Sequence, residues 1–181
     1  MNNIPTHHYF HLMADYNAWM NQQIYQSAGQ LSLDQLTQDR RAFFGSILGT
    51  LNHLVVADMI WLKRFASYPR FQQVLAHIYA YPQPLTLDEL LYQDLSGLYT
   101  VRLALDQLIY RWVHVVVEDD LSQVLTYTNS KGVVSHKLIG HLMLHFFNHH
   151  THHRGQLSTL LYQAGINIGI TDLLVHLPDQ S

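Results

Sequence analysis

Cysteine is absent from this chain of 181 residues, which excludes disulfide bonds, thiolate nucleophiles and zinc sites built from cysteine. Basic residues are scarce as well, because ten Lys and Arg stand against 13 Asp and Glu, for a net charge of −3. This balance predicts that the protein has no nucleic-acid partner. A hydrophobic content of 48% excludes a disordered chain, and the length predicts one domain over residues 1–181.

Long apolar runs and targeting signals are also missing. The most apolar stretch, residues 47–62, is interrupted by Asn52, His53 and Asp58, a pattern typical of a buried helix rather than a membrane span. The N-terminal sequence has no cationic region followed by an apolar core, so we expect no secretory signal. The sequence therefore predicts a cytoplasmic protein without a membrane partner.

The hydrophobic pattern predicts an all-α fold. Apolar residues with helical spacing, bounded by capping residues and glycine, predict four long helices over about 7–28, 46–66, 86–112 and 135–164. A capping box at Ser32–Gln35 predicts a short helical turn, and another at Thr86–Glu89 is interpreted as the start of the third long helix. β-Branched runs at 113–117 and 124–127, followed by a turn signal at Asn129–Gly132, predict a short hairpin between helices 3 and 4. Four long helices in one domain indicate a four-helix bundle.

Histidine is the most unusual feature of the composition, with 14 residues. His141, His145, His149 and His153 recur every four positions on the fourth predicted helix, so two successive members can ligate one metal ion. Histidines eight positions apart are about 12 Å apart along the helix axis and cannot share an ion. One of the three adjacent pairs is therefore the candidate, and the spacing alone does not select among them.

A third ligand must come from another helix, and His53 on the apolar second helix is the candidate. Three histidines leave a coordination position open, which is typical of catalytic rather than structural zinc sites. The competing interpretation is that His53 is a hydrogen-bonded core residue and that the histidine-rich helix is solvated. His7, His8 and His11 near the N-terminus form a weaker candidate cluster.

Other polar residues are candidates for supporting a metal site. Arg154 and Gln156 follow the histidine ladder and could orient a ligand, although capping or surface roles fit them equally. Asn17 and Asn21 lie four positions apart within an apolar helical face, where buried amides need hydrogen-bond partners. We interpret Asn17 as a neighbour of the metal site, the alternative being that the two amides bridge helices elsewhere. The aromatic residues interpreted as core are Trp19, Phe43, Phe44, Trp61, Phe146 and Phe147.

Several segments, taken in order, resemble the DinB-like family of metal-binding proteins across nearly the whole chain. They are Tyr16–Asn21, Phe44–Ile47 with Thr50–His53, Ala57–Trp61, Phe147–Gln156 and Thr171–Leu174. The resemblance implies an up-down-down-up four-helix bundle and a homodimer. It also implies a divalent metal ion, zinc or nickel, with His53, His149 and His153 as ligands.

The function that follows is a metal-dependent enzyme acting on a small molecule. The resemblance implies that some relatives use a low-molecular-weight thiol in S-transfer or isomerisation, while many have no established reaction, and a bound ion could equally activate water for hydrolysis. The alternative is a non-catalytic metal or small-molecule binding protein of the stress response. No general base is evident, because Asp58 lies about 140° around its helix from His53.

Overall fold

Helices account for most of the computed structural model, which describes residues 5–129, 131–177 and 179. This confirms a predominantly helical chain with one small sheet. No helix in the described part of the chain is both long and apolar enough to cross a membrane. The α-helices are α1 (His7–Ala28), α2 (Leu33–Thr37), α3 (Ile47–Phe65), α4 (Gln72–Leu75), α5 (Leu95–Val113), α6 (Glu118–Leu121) and α7 (Ile139–Gln163), and the strands are β1 (Val124–Thr128) and β2 (Val134–Leu138).

Side-chain caps set the first residue of several helices. The Ser46 hydroxyl accepts a hydrogen bond from the backbone N–H of Gly49 (3.0 Å) and begins α3. The predicted capping box at Ser32 and Gln35 is present and begins α2. Each cap satisfies a backbone donor that has no partner within its own helix. Local sequence therefore determines where these two helices start.

The third long helix starts later than predicted, because α5 begins at Leu95 and not at Thr86. Asn52 of α3 accepts a hydrogen bond from the backbone N–H of Tyr92 (3.0 Å) and donates one to its carbonyl (2.9 Å). Glu89 does not complete a capping box with Thr86; it accepts a hydrogen bond from the backbone N–H of Leu85 (2.6 Å). The segment before α5 is thus bound to α3 in an irregular conformation that serves the site described below.

The predicted hairpin is present, but the helices on either side of it end and begin at other residues than predicted. Strands β1 and β2 are antiparallel, with Val124 opposite Leu138 and Thr128 opposite Val134. Of the predicted turn, Ser130 lies outside the described residues. The run 113–117 is not a strand, since Val113 ends α5. The fourth long helix starts at Ile139 rather than Ser135, because residues 135–138 pair with β1.

The four long helices bury a common apolar interior. Helices α1 and α3 each pack against both α5 and α7. Phe65 of α3, Trp112 of α5 and Phe146 of α7 meet in this interior, with ring centroids 4.4 Å apart for the first two and 5.7 Å for the last two. The packing of α3 against α7 brings His53 opposite the histidine ladder.

Candidate metal centre

Three histidines converge between α3 and α7. The Nε2 atom of His53 lies 3.2 Å from Nε2 of His149 and 3.2 Å from Nε2 of His153, and the last two atoms are 3.1 Å apart. His149 and His153 stand one helical turn apart on α7, so both rings reach the same side. Helix packing supplies the third ring from His53. No other group of three potential metal ligands occurs among the described residues.

The opposite ring nitrogens fix the protonation of two of these rings. Nδ1 of His53 donates a hydrogen bond to the carbonyl oxygen of Leu87 (2.7 Å), in the segment before α5. Nδ1 of His153 donates to the side-chain oxygen of Gln156 (2.7 Å). Since a neutral imidazole carries one proton, Nε2 of both rings presents a lone pair to the cluster. Metal-binding histidines use the same arrangement of an outer acceptor and an inner lone pair.

The electrostatics of the cluster favour neutral imidazoles. Burial lowers the pKa of His53, against the effect of the Leu87 carbonyl, and burial also lowers the pKa of His153. Burial, with the neighbouring His153 next in effect, lowers the pKa of His149 to about 3. At neutral pH all three rings are therefore uncharged, the form in which histidine ligates metal.

The spacing of the three nitrogens fits a metal ion. A tetrahedral ion with Zn–N bonds of about 2.05 Å separates its ligand nitrogens by about 3.3 Å, close to the observed 3.1–3.2 Å. Three lone pairs this close repel one another unless a proton or a cation lies among them. The group is thus compatible with binding a divalent metal ion.

A phenylalanine ring covers one side of the cluster. Phe44 stacks on His53 with ring centroids 3.8 Å apart and meets His153 edge-on at 5.5 Å. The backbone of Phe44 approaches the first turn of α3 so closely that a Cβ on Gly49 would collide with its carbonyl oxygen. Glycine at position 49 therefore permits the loop to bring Phe44 onto the site.

Comparison with known proteins identifies the family of the chain. A sequence model of the DinB family matches residues 1–179. The chain belongs to the DinB family. It is similar to Protein DinB of Bacillus subtilis (strain 168), with 25% identity over 163 residues that cover 90% of each chain. No solved structure matches.

The structure of this DinB-family chain distinguishes among the histidine pairs that the spacing left open. His149 and His153 meet His53, whereas the His145 ring lies beside His149 at 5.9 Å without joining the three-nitrogen group. His141 is exposed on the surface of α7. The N-terminal histidines contact other elements instead, with His7 Nδ1 lying 3.1 Å from a carboxylate oxygen of Glu118 in α6 and His11 donating to the carbonyl of Val113 in α5 (3.1 Å).

The supporting residues separate into two groups. Gln156 is brought to His153, as a neighbour of the cluster must be. Asn17 and Arg154 instead bond each other, and Asn17 also donates to Asp106 of α5 (3.3 Å). Among the described residues no hydrogen bond joins Asn17 or Arg154 to the three histidines. The role of these two residues at a metal site stays a prediction.

A second polar cluster, the charged network, lies beside the three histidines and was not foreseen from the sequence. Arg102 of α5 pairs with Asp58 of α3 (2.6 Å) and with Asp106 (3.0 Å). His150 of α7 lies 2.6 Å from the other oxygen of Asp58. Asn21 of α1 donates to Asp106 (2.9 Å). The network comprises Asp58, Arg102, Asp106, His150, Asn17, Asn21 and Arg154, all of them buried.

Opposite charges determine the ionisation within this network. Burial alone raises the pKa of Asp58, but His150 and Arg102 more than offset it and hold that pKa below its usual range. Burial raises the pKa of Asp106 to about 6 although Arg102 opposes it. The sequence signal was available, because charged residues inside apolar helices must be paired when buried. Two of the aromatic positions interpreted as core were misread, since Phe43 is 86% exposed and Phe44 contacts the histidines. The interpretation is confirmed for Phe146 and Phe147, which are buried in the core.

Proposed function

We propose that the protein binds one divalent metal ion through Nε2 of His53, His149 and His153 and uses it in a reaction of a small molecule. The observation that carries this proposal is the convergence of the three nitrogens at 3.1–3.2 Å. We further propose zinc or nickel as the ion, because a purely imidazole set suits these metals better than magnesium or calcium.

The proposed reactions are thiol-dependent S-transfer and hydrolysis by activated water. When bound, a divalent ion held by three uncharged ligands supplies a Lewis acid that lowers the pKa of a thiol or a water. The Leu87 carbonyl and Gln156 hold two rings in the ligating tautomer, and Phe44 excludes water from one side. Because the chain has no cysteine, a reacting thiol must arrive with a low-molecular-weight cosubstrate.

A non-catalytic metal or small-molecule binding protein of the stress response is the second candidate. The observation that favours it is the state of the nearest buried acids. Asp58 is held by His150 and Arg102, and Asp106 by Arg102 and Asn21. Neither carboxylate is free to move a proton at the histidine cluster, so neither of these two acids serves as a general base there.

The arrangement of the protein as a whole is also proposed. We propose that the four long helices form an up-down-down-up bundle, a course supported by the packing of α1 and α3 against both α5 and α7. A homodimer is proposed on the family resemblance, and light scattering on the purified protein tests it. We also propose a cytoplasmic protein, and the excess of acidic residues supports the absence of nucleic-acid and anionic membrane partners.

Metal content tests the ligand assignment. We expect one divalent ion per chain by elemental analysis of the wild-type protein, and none after His53→Ala, His149→Ala or His153→Ala. His141→Ala is the matched control, because His141 belongs to the same ladder but is exposed, and we expect it to retain the ion. Loss of the ion in His141→Ala with retention in His149→Ala would disprove the assignment.

Activity measurements then separate the two candidate functions. Metal-loaded wild-type protein and His153→Ala are assayed with low-molecular-weight thiols and electrophilic acceptors, and separately with ester substrates. Turnover by the wild-type protein that is lost in His153→Ala supports the enzyme. A full complement of metal without turnover across both substrate classes supports the binding protein.

A further inference from the structure

A cavity of about 590 Å³ shares one wall residue, Leu87, with the surroundings of the three histidines. It lies between the second half of α3, the segment 83–87 and the hairpin. Leu87 belongs to both places, because it lines the cavity and its carbonyl accepts the hydrogen bond from His53. The cavity wall includes Ile60, Lys63, Arg64, Leu85 and Tyr127.

Two cations line this cavity without an acidic partner. None of the ion pairs among the described residues includes Lys63 or Arg64, and no Asp or Glu lies among the described residues of the cavity wall. Within the part of the chain that the structure describes, the ammonium of Lys63 donates only to the carbonyl oxygens of Tyr81 (3.0 Å) and Pro82 (2.7 Å). Glu89 is already bound to the backbone N–H of Leu85 (2.6 Å).

The guanidinium of Arg64 is held in place by aromatic rings. Its central carbon lies 4.6 Å from the ring centroid of Trp61 and 4.7 Å from that of Tyr127. Stacking of this kind fixes the plane of the guanidinium and leaves its N–H groups available at the edge. Burial lowers the pKa of Arg64 and of Lys63, so an anion beside them would relieve the cost of their desolvation.

Arg64 lies on the same face of α3 as His53 of the metal centre. Arg64 follows His53 by eleven residues, which is three helical turns within about 20°, so the two lie on the same face of α3 about 16 Å apart along the axis. Arg64 stacks over Trp61, which displaces its charge toward the His53 end of the helix. The ring of His145 lies between Trp61 (5.2 Å) and His149 (5.9 Å), so aromatic rings are continuous from Arg64 to the three-histidine cluster.

We propose that this cavity binds the oxyanion group, a carboxylate or a phosphate, of the small molecule on which the metal centre acts, with Arg64 and Lys63 as the binding cations. As a substrate subsite the assignment rests on the proposed function, whereas anion binding itself does not require the metal. Arg64 offers paired N–H donors that match either oxyanion, and the aliphatic walls of Ile60 and Leu85 contact the rest of the molecule.

Anion titration of metal-free protein tests this proposal separately from metal binding. Full-length protein treated with chelator is titrated by calorimetry with succinate and with inorganic phosphate, and with succinamide as the uncharged control. We expect one or both anions to bind, and the stronger of the two to identify the oxyanion. We expect Arg64→Gln to weaken that binding at least ten-fold, because it removes the charge and the charge-assisted hydrogen bonds of the guanidinium.

Control variants test whether a loss of anion binding is specific to the cations of the cavity. Arg111→Gln removes an exposed guanidinium from α5 and is expected to change anion affinity less than two-fold. Lys63→Gln is expected to weaken binding at least three-fold, and it carries the test if Arg64→Gln fails to fold. Wild-type binding of both anions no tighter than succinamide, or a folded Arg64→Gln that binds like the wild type, overturns the proposal. Metal content is measured on the same variants and stays at the wild-type value if the two sites are distinct.

Discussion

Adjacent residues of α7, His149 and His150, belong to two buried polar clusters of opposite character. His149 is part of the three-histidine cluster, in which neutral rings direct nitrogen lone pairs at one another. His150 is part of the charged network, in which it bonds Asp58 and Arg102 balances two carboxylates. The network pairs each of its carboxylates with a cation from within the protein, whereas the three-histidine cluster directs its lone pairs at one another. Buried lone pairs that face one another indicate a binding site for a cation, whereas buried charges that are paired with each other indicate a structural element.

The charged network also explains why the histidines are in position. It links α1 through Asn17 and Asn21, α3 through Asp58, α5 through Arg102 and α7 through His150. A buried ion pair adds little net stability compared with an apolar replacement, but its geometry fixes how the helices are aligned. We infer that the network holds α3 and α7 at the alignment that brings His53 to His149.

The largest effect that distinguishes the two clusters is expected from Arg102→Met. The substitution leaves Asp58 and Asp106 buried without their cation, so we expect the free energy of unfolding to fall by about 3–5 kcal/mol. Urea unfolding of metal-free protein measures it. Arg111→Met on the exposed face of α5 is the control and is expected to cost less than about 0.5 kcal/mol. Equal stabilities for Arg102→Met and the control contradict the structural role of the network.

The next effect concerns Asn17, which the sequence placed at the metal site and the structure bonds to Asp106 and Arg154. We expect Asn17→Leu to lower the free energy of unfolding by about 1–3 kcal/mol, because it leaves a buried donor of Arg154 without its acceptor. Metal affinity, measured by competition with a chromophoric chelator, is expected to change less than three-fold. A ten-fold loss of affinity at unchanged stability would return Asn17 to the metal site, as the sequence suggested.

Sequence reasoning succeeded where the determining interactions are local. Helix α1, the cap of α2 and the relation of His149 to His153 follow from spacing and capping along one segment. The angle between Asp58 and His53 also follows from helix geometry. Asp58 bonds His150 and does not join the three-histidine cluster. These predictions needed no knowledge of what packs against each helix.

Sequence reasoning failed where residues distant in the chain compete with a local signal. The Thr86–Glu89 pattern has the composition of a helix start, but Asn52 and His53 bind the backbone at Tyr92 and Leu87. Those bonds replace the ones that an earlier first turn of α5 would form. The ion-pair partners in the charged network could not be predicted from the sequence either. A buried charge needs a partner, but the sequence does not indicate which residue that partner is.

A smaller effect, confined to the three-histidine cluster, is expected from Gln156→Leu. The substitution removes the acceptor of the His153 Nδ1–H (2.7 Å), which fixes the ligating tautomer. Loss of such an outer partner typically weakens metal binding about 10- to 100-fold, and we expect at least ten-fold by chelator competition. Gln163→Leu, in the last turn of α7, is the control. Unchanged affinity in Gln156→Leu would mean that the tautomer is set without this bond.

The smallest effects appear in the pH dependence of the metal-free protein, where the three-histidine cluster and Asp106 of the charged network act with opposite sign. The pKa values of His53, His149 and His153 are lowered in the folded state, that of His149 to about 3. The unfolded chain therefore binds more protons below about pH 6.5, and stability is lost as the pH falls from there. The pKa of Asp106 is raised to about 6, so its ionisation destabilises the fold at higher pH and is relieved as the pH falls.

Three histidines outweigh one aspartate, so we expect the melting temperature of the metal-free protein to fall between pH 7 and pH 5. His149→Ala should make this fall shallower, because it removes one group that takes up a proton on unfolding. Asp106→Asn should make it steeper, because it removes the opposing group while keeping a side chain of the same shape. Each change is expected to alter the slope by at most about 1.4 kcal/mol per pH unit. Slopes that shift in the same direction in both variants would contradict the assignment of opposite signs to His149 and Asp106.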